Sequence, residues 1–435
     1  MKFLYADSLD YVDPNYNFIE DRSPPGRKPY WDDQFAHEYF ETAPYDGVLI
    51  SRGIVGDHKF AGKYTQAQAM RFRRQGARHF LRLDRPQHKD LMVMGDCGAF
   101  SFVGLDAPPY TISEIMEFYE DGGFSHGCSL DHIIFEFERG LSGLQPLSNP
   151  EAAEKAMHRY EITLENAQQF RTEASHLSKT FTPLGVIQGW SPGSMACAAS
   201  ELVKMGYDYL AVGGMVPLNA ESIHIALEAI RRKIPQHVQL HILGFGKIDQ
   251  LGEFLDYGIS SIDTTSPLLR AFKDNRKNFF MPSKGVGLDY YTAIRIPDAT
   301  ESRGLEILKK KGYLTQAQLS AAEADALAAL RALDKGQSNV HDTLDSVMRY
   351  SRQTLLDPKS GQAPSIKKME TLASEYERML TDRPWQRCPC AVCQRVGVEV
   401  AIFRSSNRNK RRGFHNIWVF NEQMKKTIGK EHIDA

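Results

Sequence analysis

Short apolar runs alternate with amphipathic stretches between about residue 45 and residue 265. The runs have the length and composition of strands that are buried on both faces, as in a parallel sheet. They cover residues 47–50, 91–94, 133–135, 184–187, 209–212, 240–243 and 259–262. Helical stretches lie near residues 113–120, 150–176, 194–205, 219–233 and 247–257, and Asn149 followed by Pro150 is typical of a helix start. Repeated strand–helix units predict an α/β fold.

The ends of the apolar runs favour a closed barrel over an open sheet. A barrel gathers all its strand ends around one site, whereas an open sheet uses only those near its topological switch point. Nearly every run ends in polar or glycine residues, namely Gly95-Asp96, Glu136, Gln188-Gly189, Gly213-Gly214, Gly244 to Gly246 and Asp263. The pattern therefore predicts a TIM (β/α)₈ barrel whose mouth carries the chemistry.

Three cysteines and a histidine near the end of the sequence are spaced like ligands of one metal ion. Cys388, Cys390 and Cys393 fall within six residues, and His415 follows them. A Cys₃His set fills all four positions of a tetrahedral structural zinc site. The alternative is a disulfide with a spare thiol, but the first residues carry no secretory signal, which indicates a reducing compartment. We therefore expect structural Zn²⁺ in a cytoplasmic protein.

Residues 301–383 have a wholly helical pattern that is rich in Ala, Leu, Glu and Lys. Capping residues recur at Thr315, at Ser338 or Asn339, and at Ser365, which predicts an insertion of about three helices. The predicted domains are a barrel with an N-terminal extension at 1–300, the helical insertion at 301–383, and a C-terminal zinc-binding subdomain with a basic segment at 384–435.

Charge is balanced overall but uneven along the chain. The 435 residues carry a formal net charge of −1, so the total charge does not indicate a polyanionic partner. Beside the predicted metal site, a basic segment is a candidate for contacts with a nucleic-acid backbone, although a solvated face is the alternative. This segment contains Arg404, Arg408, Lys410, Arg411 and Arg412. No apolar run approaches the ~20 residues of a membrane span, so no membrane partner is expected.

Two aspartates follow apolar runs directly and should project into the barrel mouth. Asp96 follows the run at 91–94, and Asp263 follows the run at 259–262. Two carboxylates can take different catalytic roles, because one can attack a sugar carbon while the other exchanges a proton with the leaving base. The alternative is that either aspartate caps a turn or a helix. Their position among polar strand ends favours the catalytic interpretation.

Other strand-end residues suit a flat ligand. Gly213-Gly214 and Gly244 expose backbone amides and allow close approach, and Gln188 can form two hydrogen bonds with an amide-like edge. Phe100, just beyond Asp96, is a candidate for stacking on a planar ring. The alternatives are tight turns for the glycines and core packing for Phe100.

Five segments in order resemble motifs of the tRNA-guanine transglycosylase superfamily, and the match covers about residues 90–265 and 388–418. The resemblance implies a TIM barrel with an embedded Cys-x-Cys-x-x-Cys…His zinc site. It also implies an enzyme that exchanges guanine for a 7-deazaguanine base through a covalent sugar–aspartate intermediate. The five segments are Asp96-Cys97-Gly98-Ala99-Phe100, Ile187-Gln188-Gly189-Trp190, Ala211-Val212-Gly213-Gly214-Met215, Ile242-Leu243-Gly244-Phe245-Gly246, and Gly258 through Pro267.

The resemblance also implies roles for individual residues. Asp263 would be the nucleophile and Asp96 the general acid and base. Phe100 and Leu243 would sandwich the base. Its edge would be read by Gln188 and by the backbone around Gly213, Gly214 and Met215. The family's acidic base-recognition residue would be replaced by Glu136 or Glu138.

Several features depart from the tRNA enzymes and resemble the DpdA branch of the family, which places 7-deazaguanines such as 7-cyano-7-deazaguanine (preQ0) into DNA. The segment after the nucleophile is altered at 267–270, the zinc loop is shorter, and the helical insertion is large. This resemblance implies DNA and a free 7-deazaguanine base as partners, in a bacterial or phage-encoded protein. It leaves a helper ATPase and the oligomeric state open. The alternatives are a divergent tRNA-guanine transglycosylase and a non-catalytic nucleic-acid-binding subunit.

Overall fold

The computed structural model describes residues 1–177 and 180–434, and it contains a closed barrel of eight parallel strands. The barrel closes because β1 pairs with β8 on one side and with β2 on the other. In chain order the strands are β1 (Lys2–Ala6), β2 (Gly47–Ser51), β3 (Met92–Asp96), β4 (His126–Cys128), β5 (Thr182–Ile187), β6 (Tyr209–Val212), β7 (Gln239–Ile242) and β8 (Ile259–Thr264). The predicted TIM barrel is therefore confirmed.

Helices follow the strands around this barrel. They cover Gln66–Phe80, Ile112–Gly122, Pro150–Glu173, Pro192–Lys204 and Ala220–Lys233, with a 3₁₀ helix at Ile248–Tyr257. The Asn149 side chain accepts a hydrogen bond from the amide of Ala152, and Pro150 occupies the first turn, as the sequence predicts. An apolar cluster formed by facing strands includes Leu4, Leu49, Met92, Met94, Cys128, Leu184, Val186, Tyr209 and Ala211.

The strand predicted at 133–135 is wrong, because the strand in this place is β4. Gly127, in the middle of β4, gives no apolar signal. A Cβ atom there would lie 2.7 Å from the rings of Phe181 and Tyr119, so the strand must stay small where these aromatic rings pack. Ile133 and Ile134 are buried in the segment that follows. The strand β1 was not predicted from the sequence.

The chain forms two units. The first comprises Met1–Leu9, Tyr45–Thr265 and the last helix from Met424 on, and it contains the whole barrel. The second comprises Asp10–Pro44 and Ser266–Gln423. The three-domain division remains a prediction. None of the helices in the described ranges combines the length and the apolar character needed to cross a membrane.

The second unit is mostly helical. Its helices cover Ser266–Lys273, Arg303–Lys310, Gln316–Asp334, Val340–Thr354, Ile366–Asp382 and Ala391–Val396, and the last helix of the chain begins at Ser406. Thr315, Asn339 and Ser365 cap the three helices predicted at 301–383, since each side chain accepts a hydrogen bond from a first-turn amide. Short strand pairs join Phe279–Pro282 with Leu288–Tyr291, Ile294–Arg295 with Ile402–Phe403, and Tyr11–Val12 with Gln34–Phe35.

Candidate active site

Two acids lie together at the barrel mouth. Asp96 ends β3, and Asp131 lies three residues after the end of β4. Oxygen atoms of these carboxylates and the Cys97 sulfur all lie within 4.8 Å of one another. The Cys97 thiol donates to Asp131 Oδ1 at 3.0 Å, and the Gln188 amide donates to Oδ2 at 2.7 Å. Burial nevertheless raises the pKa of Asp131, since the two hydrogen bonds offset only part of the desolvation.

Asp96 has a pKa near neutrality. Burial, and to a smaller extent the negative charges of Asp131 and Asp263, raise this pKa from its ordinary value to about 7. A hydrogen bond from Ser51 and one from the amide of Gly98, at 3.1 Å, act in the opposite direction. A carboxyl group of this pKa exists in both protonation states at neutral pH, which is the property of a general acid and base.

Asp263 lies near the end of β8 and is held by two donors on one oxygen. Oδ1 accepts hydrogen bonds from His241 Nε2 at 3.1 Å and from the amide of Gly244 at 3.0 Å. Gly244 has a φ of +71°, a left-handed conformation that favours glycine and turns this amide towards the carboxylate. Both hydrogen bonds that the described residues make to this carboxylate fall on Oδ1, which leaves the lone pairs of Oδ2 without a hydrogen bond from these residues.

The structure brings the predicted base-binding residues Gly213 and Gly214 together with Gln188, which hydrogen-bonds with Asp131. Gln188 follows β5, and its Oε1 accepts a hydrogen bond from the amide of Ile134 at 3.2 Å. A Cβ atom on Gly213 would lie 2.3 Å from the Gln188 amide nitrogen, so only glycine permits this packing. The Gln188 side chain is thus held in one orientation between its neighbours. Of the other predicted base-binding residues, Met215 is buried and Leu243 packs against the barrel cluster.

Two exposed aromatic rings accompany the buried acids. Phe100 and Phe135 each follow an acid, Asp96 or Asp131, by four residues, and they are 63% and 39% exposed. Their ring centroids lie 5.9 Å apart with a 47° angle between the planes. Exposed rings of this kind offer faces on which a planar base can stack. The sequence does not reveal Phe135, because the apolar run at 133–135 predicts a strand.

The sequence does not reveal the position of Asp131 for the same reason. The sequence pointed to Glu136 or Glu138, but Glu136 Oε2 accepts from the amide of Phe135 and Glu138 accepts from Ser148. It is Asp131, and neither glutamate, that lies beside Asp96 and hydrogen-bonds with Gln188. A correct position for β4 would have revealed an acid shortly after the strand end, as at the other strands.

The second unit contains the predicted Cys₃His cluster. The sulfur atoms of Cys388, Cys390 and Cys393 lie 3.6, 3.3 and 3.4 Å from His415 Nδ1. These distances match the roughly 3.5 Å between sulfur and nitrogen ligands on a tetrahedral zinc ion. All four side chains are buried, so the donor set and its spacing fit a structural zinc ion.

The surroundings of His415 prepare it to bind through one nitrogen. Its Nε2 donates to the carbonyl of Phe280 at 2.8 Å, which leaves Nδ1 as the acceptor that faces the three sulfur atoms. The neighbouring Asn416 is also buried. Its Oδ1 accepts from the amide of Phe280, and its Nδ2 donates to the carbonyls of Pro267 and Asn278. These bonds hold the histidine helix against the hairpin strand that contains Phe280.

The structure corrects the expectation of an exposed basic segment near His415. Arg408, Arg411 and Arg412 are buried, and Arg404 is nearly so. Arg404 and Arg408 both pair with Asp21, and Arg408 also donates to Glu399 at 2.8 Å. Because these guanidinium groups are already paired inside the unit, no phosphate contact is proposed for them.

The other three cations of this segment are also engaged. Arg411 donates to the carbonyl of Asp13, and Arg412 donates to the carbonyls of Ala271, Val400 and Ile402. Lys410 is partly exposed and lies 3.3 Å from Asp10. Cations that are close together in a sequence can therefore stabilise the fold, by pairing with acids and carbonyl groups from distant segments.

Comparison with known proteins identifies the family. No family model matches the chain. The chain is 37% identical over 438 residues to a DNA-guanine transglycosylase of Salmonella montevideo, a match that covers 100% of this chain and 99% of that protein. It is 25% identical over 230 residues to a queuine tRNA-ribosyltransferase of Shewanella halifaxensis, covering 49% of this chain and 56% of that protein. A queuine tRNA-ribosyltransferase of Haemophilus ducreyi is 29% identical over 139 residues, or 35% of its length. With these matches, a TIM barrel and a Cys₃His cluster, the chain belongs to the tRNA-guanine transglycosylase superfamily and is a glycosyltransferase.

Proposed function

We propose that this enzyme exchanges guanine in DNA for a 7-deazaguanine base, such as 7-cyano-7-deazaguanine, through a covalent aspartyl–sugar intermediate. The relative matched over the whole chain, which is named as a DNA-guanine transglycosylase, supports DNA as the substrate. The observation that carries the proposal is the contrast between two acids of the barrel mouth. Asp96 has a pKa of about 7, whereas Asp263 accepts two hydrogen bonds on one oxygen. Opposed environments of this kind suit a proton carrier and a nucleophile.

The first half of the reaction releases guanine. A lone pair of Asp263 Oδ2 forms a bond with C1′ of the target nucleotide, and the bond between C1′ and the base nitrogen breaks. The electron pair of that bond goes to the departing guanine, which takes the proton of Asp96. Covalent capture divides one difficult displacement into two easier steps.

The second half inserts the new base. The incoming 7-deazaguanine gives its ring N–H proton to the Asp96 carboxylate, and its nitrogen attacks C1′. The bond between C1′ and Oδ2 breaks, and its electron pair returns to Asp263. Two inversions at C1′ retain the configuration of the sugar.

Recognition of the base is assigned to the residues beside these acids. Guanine and 7-deazaguanine share an edge that carries N–H donors and one carbonyl acceptor. The carboxylate of Asp131 suits the donors, and Gln188 holds this carboxylate through its 2.7 Å hydrogen bond. The amides of Gly214 and Met215 suit the carbonyl. Phe100 and Leu243 would cover the two faces of the ring after the nucleotide has left its stack.

A labelled-base assay tests the substrate. We expect label from 7-cyano-7-deazaguanine to enter guanine-containing DNA and not tRNA. The comparison uses equal nucleotide concentrations of duplex DNA, single-stranded DNA and tRNA, with Asp263→Asn as the inactive control. Label in tRNA alone would assign the chain to the tRNA enzymes, and label in neither nucleic acid would favour a non-catalytic binding subunit.

Release of guanine should depend on pH through Asp96. The protonated form is the acid, so single-turnover release should be constant below pH about 7, the pKa of Asp96. Above that pH the protonated fraction, and with it the release rate, should fall by about tenfold per pH unit. The measurement is guanine release at saturating enzyme across this pH range.

Asp131→Asn provides the matched variant for this profile. The negative charge of Asp131 helps to raise the pKa of Asp96, so its removal should shift the midpoint to lower pH. A profile without a midpoint near neutrality in the unmodified enzyme would argue against Asp96 as the acid.

We also propose that the cluster of Cys388, Cys390, Cys393 and His415 binds structural zinc. Its four buried ligands have the spacing of a closed tetrahedral site. The metal would supply rigidity to the second unit, and no reaction step is assigned to it.

A further inference from the structure

A line of buried polar side chains runs through the barrel interior behind Asp263. Three adjacent strands contribute to it, with Tyr209 on β6, His241 on β7 and Ser261 on β8. Ser261 pairs in register with His241, and Asp263 lies two residues beyond Ser261 on the same face of β8. Barrel interiors are ordinarily filled by branched apolar side chains, so polar side chains in this position indicate a specific role.

The line is continuously hydrogen-bonded. Tyr209 Oη lies 2.6 Å from Ser261 Oγ, which lies 2.5 Å from His241 Nδ1. The other ring nitrogen of His241, Nε2, lies 3.1 Å from Asp263 Oδ1. His241 and Ser261 are fully buried, so neither can exchange these partners for bulk water.

With a neutral His241 ring, only one arrangement of donors and acceptors is possible along the hydrogen bonds between Tyr209 and the Asp263 carboxylate. A carboxylate accepts only, so Nε2 must carry the ring proton, and Nδ1 is then an acceptor. The Ser261 hydroxyl must therefore donate to Nδ1, and its oxygen accepts from Tyr209. Burial raises the pKa of Tyr209 to about 12, which keeps its phenol protonated as the first donor. The chain of bonds thus fixes the His241 tautomer that donates to Asp263.

We propose that His241 is a positioning residue for Asp263, with Ser261 and Tyr209 fixing its tautomer. This inference rests on the proposed function, in which Asp263 is the nucleophile. By holding Oδ1, His241 keeps Oδ2 directed at C1′.

The same hydrogen bond favours the second half of the reaction. A hydrogen bond to a carboxylate is stronger than one to a neutral ester carbonyl. When the bond between C1′ and Oδ2 breaks and its electron pair returns to the carboxylate, the bond from His241 strengthens. Loss of His241 should therefore slow breakdown of the covalent intermediate more than its formation.

The test measures the two half-reactions separately in His241→Leu and His241→Gln. We expect His241→Leu to slow breakdown of the intermediate by about 10- to 100-fold, the range that corresponds to a hydrogen bond to a charged group. Formation should be slowed less, so the trapped adduct should accumulate. His241→Gln should recover part of the rate, because its amide can still donate. His237→Leu, at an exposed histidine before β7, is the matched control.

Two further variants test whether Ser261 and Tyr209 act on Asp263 through His241. Ser261→Ala should lower the breakdown rate in the parent enzyme but add nothing in the His241→Leu background, since Ser261 acts only through the imidazole. Tyr209→Phe should give a smaller effect of the same kind and keeps the inference testable if His241→Leu does not fold.

The outcomes separate this inference from the proposed function. Unchanged half-reactions in the folded His241 variants, together with an inactive Asp263→Asn enzyme, would overturn the positioning role alone. An equal slowing of both halves without adduct accumulation would also overturn it, since that is the result of a merely structural role. Full activity in Asp263→Asn would overturn the proposed function itself.

Discussion

Asp263→Asn should abolish base exchange. The amide is isosteric with the carboxylate but is a poor nucleophile, so no covalent bond to C1′ forms. Loss of a covalent nucleophile typically costs about 10⁴-fold or more in rate. The variant should also fail to give the nucleic-acid adduct that the parent enzyme gives, measured as a shifted protein band after denaturation.

Asp256→Asn is the matched control for this substitution. It removes an exposed carboxylate from the helix that precedes β8, and it should leave exchange and adduct formation unchanged. Persistence of the adduct in Asp263→Asn would show that another group attacks the sugar. Unfolding of the Asp263→Asn variant is not expected, because the oxygen of the new side-chain amide can still accept hydrogen bonds from His241 and Gly244.

Cys390→Ala should destabilise the second unit severely. Cys390 is one of four buried ligands, and its sulfur also accepts a hydrogen bond from the amide of Cys393 at 3.4 Å, where it caps a short helix. Structural zinc contributes about 10 kcal/mol or more to folding, which is comparable with the whole net stability of about 5–15 kcal/mol of ordinary proteins. We expect insoluble protein, or soluble protein with less than one zinc ion per chain and an unfolding transition at lower temperature.

Cys197→Ala is the matched control for the metal site, since Cys197 lies on a helix of the first unit, outside the cluster. It should keep a full complement of zinc. Metal analysis and thermal unfolding of both variants, with and without a chelator, measure the effect. A Cys390→Ala protein with unchanged stability and full zinc content would contradict the structural role.

The amino-acid sequence by itself determined the barrel and most of its strands. Six of the eight strands and all three capped helices at 301–383 carry strong local signals, because buried parallel strands must be apolar and helix starts need a capping side chain. The sequence also identified the four members of the metal cluster, since three cysteines this close along the chain have little freedom to diverge and His415 follows them as a fourth ligand. The motif order identified the superfamily without any knowledge of contacts.

Tertiary structure alone decided three other features. The small strand β4 owes its glycine to the aromatic rings that pack on it, so its position, and with it Asp131, escaped detection. The basic segment is buried and paired because Asp21, hundreds of residues away in sequence, forms ion pairs with Arg404 and Arg408. The hydrogen-bonded line from Tyr209 to Asp263 joins three strands whose pairing no local pattern reveals. Residue types and local periodicity are properties of neighbours in the chain, whereas burial, pairing and pKa depend on what the fold brings near.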